Sequence, residues 1–322
     1  MKKLLALSIA ALGAGMATPS IAASSNADIY GKVSIYQGFV KGHDGDYVAT
    51  QEDDTSRIGF RGTEDLGNGL KANFVIETGF KADQPEFSKG KDNSSLGNRI
   101  AIVGLQNSFG SVHLGRNKHA WSTAFDNYSP IGTDYGHISS TIAPMHGTRF
   151  SNGVFLSANT GLAGGTLTGR LDHSSSEKDD VTGGTSFSTE YRNGNLRGLY
   201  GYHREQESKN LGVETQSSHM LAARYQVTKS TAVMGMATRT ELKDGDDVAS
   251  WQIGGVHKFD GTNISLAGGY GRNNLDDYGY NARVSYAFSP RTQVHAIATK
   301  LNGEADQSKD RTILALGLQH GF

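Results

Sequence analysis

Two stretches in which apolar and polar residues alternate constrain the fold more than any other feature of the chain. Both lie within residues 55–80, on either side of a short turn at 66–69. In the first stretch Ile58 and Phe60 alternate with arginines, and in the second an apolar series alternates with lysine, asparagine and glutamate. Because side chains on a strand point to opposite faces in turn, the pattern predicts a β-hairpin with one apolar and one charged face. The charged face must meet water.

The beginning of the chain indicates export. Lys2 and Lys3 precede an apolar stretch at 4–17, and small residues follow up to Ala23. This arrangement is typical of a secretory signal peptide and is too short to span a bilayer. We therefore expect a signal peptide over 1–22, with cleavage after Ala22 or Ala23, and a single β-barrel domain over 23–322.

Composition favours one large β domain over several small ones. The chain has 322 residues, no cysteine, 42 glycines and 5 prolines, and its formal net charge is −1. An exported chain without cysteine is not a small disulfide-stapled domain. After the first 22 residues there is no apolar run near the ~20 residues that a membrane helix needs. The near-zero net charge gives no reason to expect a nucleic-acid partner.

The spacing of turn residues predicts the number of strands. Seven short turns rich in Gly, Asn, Asp, Ser, Thr or Pro alternate with eight longer polar connections, so the pattern predicts 16 strands. The longer connections fall near 41–54, 82–97, 119–147, 175–184, 206–216, 241–248, 273–277 and 302–310. We therefore predict an all-β fold, a transmembrane antiparallel β-barrel wide enough for an aqueous channel. The alternative on spacing alone is a soluble exported β-sandwich.

Five stretches carry a resemblance to a known family. They are residues 28–32 (DIYGK), 56–67 (SRIGFRGTEDLG), 98–105 (NRIAIVGL), 109–116 (FGSVHLGR) and 316–322 (LGLQHGF). In this order they resemble the general bacterial porins of the Gram-negative outer membrane, over essentially the whole mature chain. The resemblance implies a 16-stranded barrel that assembles as a homotrimer in the outer membrane. It also implies passive diffusion of ions and small hydrophilic solutes.

The carboxy-terminal residue fits the same picture. Phe322 shares one strand face with Leu314, Leu316 and Leu318, and all four are apolar. The resemblance implies that an aromatic end of this kind is the signal read by the barrel assembly machinery. The alternative is an ordinary last strand that ends on Phe.

The connection at 119–147 is too long for a surface hairpin loop, and it contains aromatic residues and few charges. The resemblance implies that this third loop folds into the lumen and narrows it. Asp126 and Asp134 would then be the acidic groups of the constriction, with Tyr128 and Tyr135 packed on the wall. The alternative is a loop that caps the outside of the mouth.

Across from that loop, the resemblance implies a set of basic wall residues. The candidates are Lys32, Arg57, Arg61, Arg99 and Arg149. Alternation places Lys32, Arg57 and Arg61 on the polar face, but it leaves the facing of the other two open. A transverse field between acidic and basic walls would favour polar solutes and give a weak ion preference of undetermined sign. The alternative for each residue is a solvated lumen charge.

The sequence offers no catalytic or cofactor motif. The acidic groups at 43–46 and 244–247 lack the spacing of a calcium loop, and we interpret them as solvated charges. Outer-membrane lipid and lipopolysaccharide are the expected surroundings. Two other functions stay open: an outer-membrane barrel enzyme, and an adhesin or surface receptor that acts through its loops.

Overall fold

The computed structural model describes residues 25–42, 45, 47–84, 96–132, 134–143, 148–175, 183–205, 216–242, 247–303 and 310–322. The predicted signal peptide, with both cleavage positions, lies outside these residues. So do His43, Asp44 and Asp46, and the first three residues of the acidic group at 244–247.

Strands make up most of the described chain. They are β1 (Ser25–Lys41), β2 (Tyr47–Asp53), β3 (Arg57–Gly67), β4 (Leu70–Gly79), β5 (Ile100–Asn107), β6 (Gly110–Lys118), β7 (Arg149–Leu162), β8 (Gly165–Ser174), β9 (Gly184–Asn193), β10 (Leu196–Glu205), β11 (Gln216–Gln226), β12 (Thr231–Leu242), β13 (Val248–Lys258), β14 (Ile264–Asn273), β15 (Tyr278–Ala287), β16 (Thr292–Asn302) and β17 (Arg311–Gly321). Two helices, α1 (Ala120–Tyr128) and α2 (Ser139–Ile142), lie between β6 and β7. Neither helix in the described part of the chain is long and apolar enough to cross a membrane.

The sheet closes on itself. From β3 to β17 each strand pairs with the next in antiparallel fashion, and β1 pairs with β17 on one side and with β2 and β3 on the other. The short break between β2 and β3 contains Thr55, whose φ is 59°. Because β2 and β3 share the partner β1, they are two halves of one strand. The 17 segments therefore form the predicted 16-stranded barrel, and no open edge is left to aggregate.

All seven predicted short turns are present, and they gather at one end of the barrel, which we call the short-turn end. The turn between β3 and β4 uses Gly67, Asn68 and Gly69, all with positive φ, which is the backbone that such turns require. Two predictions at the other end differ from the structure. The connection at 41–54 is shorter because it contains β2, and the link from Asn273 to Tyr278 is as short as the turns.

The exposure of alternating residues is opposite to that of a soluble protein. On β11, Leu221 is 65% exposed while Met220 is 1% exposed, and on β17 Leu316 is 68% exposed beside the buried Ala315. The cross-strand register carries each face around the whole barrel. We call the face with Leu221 and Leu316 the apolar face, and the face with Lys32 the polar face. A closed sheet that exposes its leucines is built for lipid, as the alternation predicted.

Candidate functional site

The connection between β6 and β7 begins with a helix that is attached to the wall by its amino-terminal end. The first N–H groups of a helix have no partner within the helix. Here the amide of Ala120 donates to Asp172 of β8, and the amide of Trp121 donates to the Ser186 hydroxyl of β9 at 2.8 Å. The Ser122 amide donates to Nδ1 of His119, the cap residue, at 3.2 Å. The start of α1 is thus fixed by two neighbouring strands.

The carboxyl-terminal end of α1 is held by β9, the strand that also binds the Trp121 amide. The Tyr128 hydroxyl donates to Oε2 of Glu190 on β9 at 2.8 Å. Burial, together with this hydrogen bond, raises the pKa of the phenol. Ser186 and Glu190 are about 13 Å apart along β9, which matches the length of about 12 Å for α1. The helix therefore lies alongside β9 and runs towards the short-turn end.

One side of α1 packs on the polar face of the wall. Trp121, Ala124, Phe125 and Tyr128 form a buried cluster with four wall residues: Leu199 of β10, Met220 and Ala222 of β11, and Met236 of β12. Polar-face positions on a strand are expected to be polar in a barrel of this kind. These four are apolar because the helix covers them.

The segment after α1 continues around the same face. Asp134 accepts from Arg283 of β15 at 2.7 Å, and the Tyr135 ring stacks on Tyr36 of β1 with centroids 4.9 Å apart. The Gly136 carbonyl accepts from the Thr299 hydroxyl of β16 at 2.7 Å. The connection is therefore joined to strands from β8 to β16 and to β1, all on the polar face.

Glycines in the wall make room for this segment. An added Cβ on Gly279 would lie 3.1 Å from Ile138, and one on Gly271 would lie 2.5 Å from Ile142. Ile138 and Ile142 are buried with Leu301. Gly271 of β14 and Gly279 of β15 thus leave room for the side chains of Ile142 and Ile138.

His137 is enclosed in the same segment. Burial lowers the pKa of its imidazole, and Asp126 and Asp134 act in the opposite direction. Its Nδ1 atom is buried and has no hydrogen-bond partner among the described residues. The environment therefore favours the neutral imidazole.

A second part of the polar face lies on β3 to β6 and carries a group of charged side chains. Glu77 of β4 sits between two guanidinium groups: Nε of Arg99 is 2.7 Å from Oε1, and Nε of Arg57 is 3.4 Å from Oε2. The Tyr30 hydroxyl also donates to Oε2 at 3.1 Å. One carboxylate thus holds two of the predicted basic residues side by side and leaves the group with a net positive charge.

Of the other three predicted basic residues, two lie close to this group. Lys32 is buried beside Asp54, with Nζ 3.6 Å from Oδ2. Arg149 lies within electrostatic range of Arg99 and of Glu77, and its Nε is buried with no hydrogen-bond partner among the described residues. Both residues therefore lie near the Arg57–Arg99 pair, since Lys32 is also directly opposite Arg57 in the register of β1 and β3.

Arg61 is set apart from that cluster. It lies four residues further along β3 from Arg57, a separation of about 13 Å. Its side chain is largely exposed, is 3.7 Å from Asp28 and lies over the Tyr30 ring. Arg61 therefore belongs to the approach from the short-turn end.

Several charged residues of the site were not singled out from the sequence. Lys118 pairs with the predicted acidic residue Asp126, and Arg116 lies near Arg149. Arg283 pairs with the other predicted acidic residue, Asp134. Arg283 could have been found by its place on the polar side of β15. The register shift between Gly115 and Asn117 hides the facing of the first two from an alternation argument.

Phe322 closes the barrel seam. Its backbone exchanges two hydrogen bonds with Gly31 of β1, at 3.0 and 3.1 Å. Its ring occupies the space where a Cβ on Gly31 would lie, so glycine is required at that position. Leu314, Leu316 and Leu318 are exposed on the apolar face, as predicted for this strand.

The chain is similar in sequence to known outer-membrane proteins. A family model described as Gram-negative porin matches residues 6–306. The major outer membrane protein P.IB of Neisseria meningitidis serogroup B is 27% identical over 353 residues, which covers 100% of this chain and 99% of that protein. Outer membrane porin protein 32 of Delftia acidovorans is 37% identical over 139 residues, 41% of this chain and 36% of that protein.

Solved structures share the fold. The anion-selective porin from Comamonas acidovorans has a TM-score of 0.71 at 21% identity, covering 93% of this chain and 100% of that one. The trimer form of Vibrio cholerae OmpT has a TM-score of 0.68 at 14% identity, covering 92% and 99%. The match of the family model to most of the chain, on a closed barrel with an exposed apolar face, establishes its family. The chain belongs to the Gram-negative porins and forms an outer-membrane channel through which solutes diffuse.

Proposed function

We propose that the connection between β6 and β7 lies in the lumen and narrows the channel. The observation that carries this proposal is the side of the sheet that it covers. The connection packs on the polar face of β8 to β16 and of β1, while the exposed leucines lie on the opposite face. In a closed barrel with its apolar face towards lipid, the polar face encloses the channel. A loop outside the mouth would leave Met220 and Met236 without cover.

The open passage then runs along the wall that the loop leaves bare, on β3 to β6. The residues of this wall and those that border it include more basic than acidic side chains. The basic ones are Arg57 of β3, Arg116 and Lys118 of β6, Arg99 just before β5, Lys32 of β1 and Arg149 of β7, and the acidic ones are Asp54 just before β3, Glu77 of β4 and Asp126 of α1. Rings of charge bias the permeation of ions. The channel therefore prefers anions, moderately at physiological salt because screening weakens charges facing water. The same sign appears in the name of one solved neighbour, the anion-selective porin from Comamonas acidovorans.

The wider assembly follows the family pattern. The chain is exported by its signal peptide, is inserted with Phe322 as the signal for the assembly machinery, and forms a homotrimer among outer-membrane lipid and lipopolysaccharide. A solved neighbour in a trimer form supports the trimer. The protein acts as a passive channel for ions and small hydrophilic solutes, without enzymatic activity.

A reversal-potential measurement in a planar bilayer under a KCl gradient tests the proposal. The unaltered protein should show a potential of the sign given by anion preference. The double variant Arg57→Glu, Arg99→Glu should shift it towards cation preference. Arg61→Glu is the matched control, because Arg61 is exposed and lies about 13 Å away along the strand. A reversal potential that the double variant leaves unchanged would count against the bare wall as the selective element.

A further inference from the structure

Three arginines lie directly opposite one another on adjacent strands, away from the constriction. The register pairs Arg197 of β10 with Arg192 of β9 on one side and with Arg224 of β11 on the other. They belong to the polar face, since Glu190 precedes Arg192 by two residues and pairs with the buried Leu199. We call Arg192, Arg197 and Arg224 the arginine row.

The row lies at the mouth formed by the short turns. Arg192 and Arg197 are each one residue from the turn between β9 and β10, and Arg224 is two residues before the end of β11. The carboxyl end of α1 is directly above it, because Tyr128 bonds to Glu190. The row is thus on β9 to β11, across the barrel from the basic wall of β3 to β6. It constitutes a second, separate concentration of positive charge.

The charge of the row is only partly compensated. Glu190 is the carboxylate in contact, and both its oxygens are engaged, Oε1 by Arg192 and Oε2 by Tyr128. Among the described residues, neither Arg197 nor Arg224 has an ion pair. Like charges placed directly across a sheet repel each other. The row therefore retains excess positive charge on a surface open to the channel water.

We propose that the arginine row binds linear multivalent oxyanions, with short oligophosphates as the fitting class. A guanidinium group offers a planar fork that matches phosphate oxygens in pairs. Neighbouring strands are about 4.8 Å apart, so the row spans about 10 Å. A chain of phosphates can follow such a row, whereas a monovalent ion meets one arginine at a time. The row captures these anions at the short-turn mouth, before the constriction.

Side-specific block of single channels tests the proposal. Sodium tripolyphosphate is added to one side of a bilayer holding the full-length protein in KCl, and orthophosphate and chloride are the comparison anions. Tripolyphosphate should reduce the current at lower concentration from the side of the short turns than from the opposite side. The double variant Arg197→Gln, Arg224→Gln should need a concentration about tenfold higher for the same block, because two charged hydrogen-bonding groups are lost.

The matched control is Arg291→Gln, which removes an arginine from another short turn at the same mouth. Tripolyphosphate should block this variant at the same concentration as the unaltered protein. The open-channel conductance in KCl shows that each variant is folded. Equal block of the double variant and the unaltered protein would overturn the proposal. So would equal block from both sides, or block by orthophosphate as strong as that by tripolyphosphate, because either result would mean that general charge and not the row is responsible.

Discussion

The polar face of this barrel is used in two different ways. Under the loop, from β8 to β16, it carries apolar and small residues such as Met220, Ile297 and Gly279, and it packs like a protein core. On the bare wall, from β3 to β6, the same face carries arginines grouped around Glu77. The difference shows that the types of residue on the polar face determine where the loop packs. Where the polar face carries an apolar residue such as Met220, that residue contacts the loop and not the channel water.

The largest effect is expected from removing the anchor of the covered wall. Trp121 is 3% exposed in the cluster beneath α1. Replacing a buried aromatic residue by alanine costs about 3–5 kcal/mol, which is a large share of what can hold a short helix on the wall. We expect Trp121→Ala to detach α1, so that single-channel conductance and its fluctuations both rise.

The other tryptophan of the chain is the control for this prediction. Trp251 is 44% exposed on the apolar face of β13. Trp251→Ala should leave the conductance close to that of the unaltered protein. In lipid vesicles, brominated lipid should quench the fluorescence that remains in Trp121→Ala far more than that in Trp251→Ala. Equal conductance of the two variants would contradict a role for α1 in narrowing the passage.

On the bare wall, the most sensitive residue is Glu77. It is 5% exposed and faces Arg57, Arg99 and Tyr30. Glu77→Gln leaves two neighbouring guanidinium groups without their shared carboxylate, which should cost up to about 3 kcal/mol in the free energy of unfolding. We also expect the reversal potential to move further towards anion preference. Asp28→Asn removes an exposed carboxylate beside Arg61 and should change both quantities much less.

Regular strands explain how much of the fold could be predicted. The turn at 66–69 is specified by Gly67, Asn68 and Gly69, and alternation on either side of it fixes the faces of Arg57 and Arg61. The strand β2 was missed because the break at Thr55 separates it from β3, so the sequence gives two short segments in place of one long one. Only the shared pairing with β1 shows that they are one strand.

The site was harder to predict because it depends on where the chain departs from regular alternation. Lys118 and Arg116 follow a bulge at Gly115, and Arg99 and Arg149 lie at the starts of strands. The apolar cluster under α1 could not be recognised either. Met220 on the polar face contradicts the expected pattern until the helix that covers it is known. The partner of Asp134 is likewise distant in sequence, because Arg283 lies 149 residues further along the chain.

A smaller effect is expected where α2 meets the wall. In Gly279→Leu the new side chain would meet Ile138 and Leu301, and overpacking of this kind costs about 1–3 kcal/mol. We expect a displaced α2 and a modest rise in conductance. Gly198→Leu is the control, because no atom lies within 4 Å of the position of its Cβ. If both variants conduct alike, α2 does not contribute to the constriction.

The smallest effect concerns pH. Burial lowers the pKa of His137 while the connection between β6 and β7 is packed on the wall, whereas an exposed histidine has a pKa of about 6.5. The contribution of the neutral imidazole to the stability of the packed loop is therefore fully present above that pH. It is lost as the pH falls through the lowered pKa of His137. Open-channel fluctuations should increase between about pH 7 and pH 5. In His137→Gln, which keeps Asp126 and Asp134 in place but cannot gain a proton, this increase should be absent. A pH response of equal size in the variant would assign the acid sensitivity to another group.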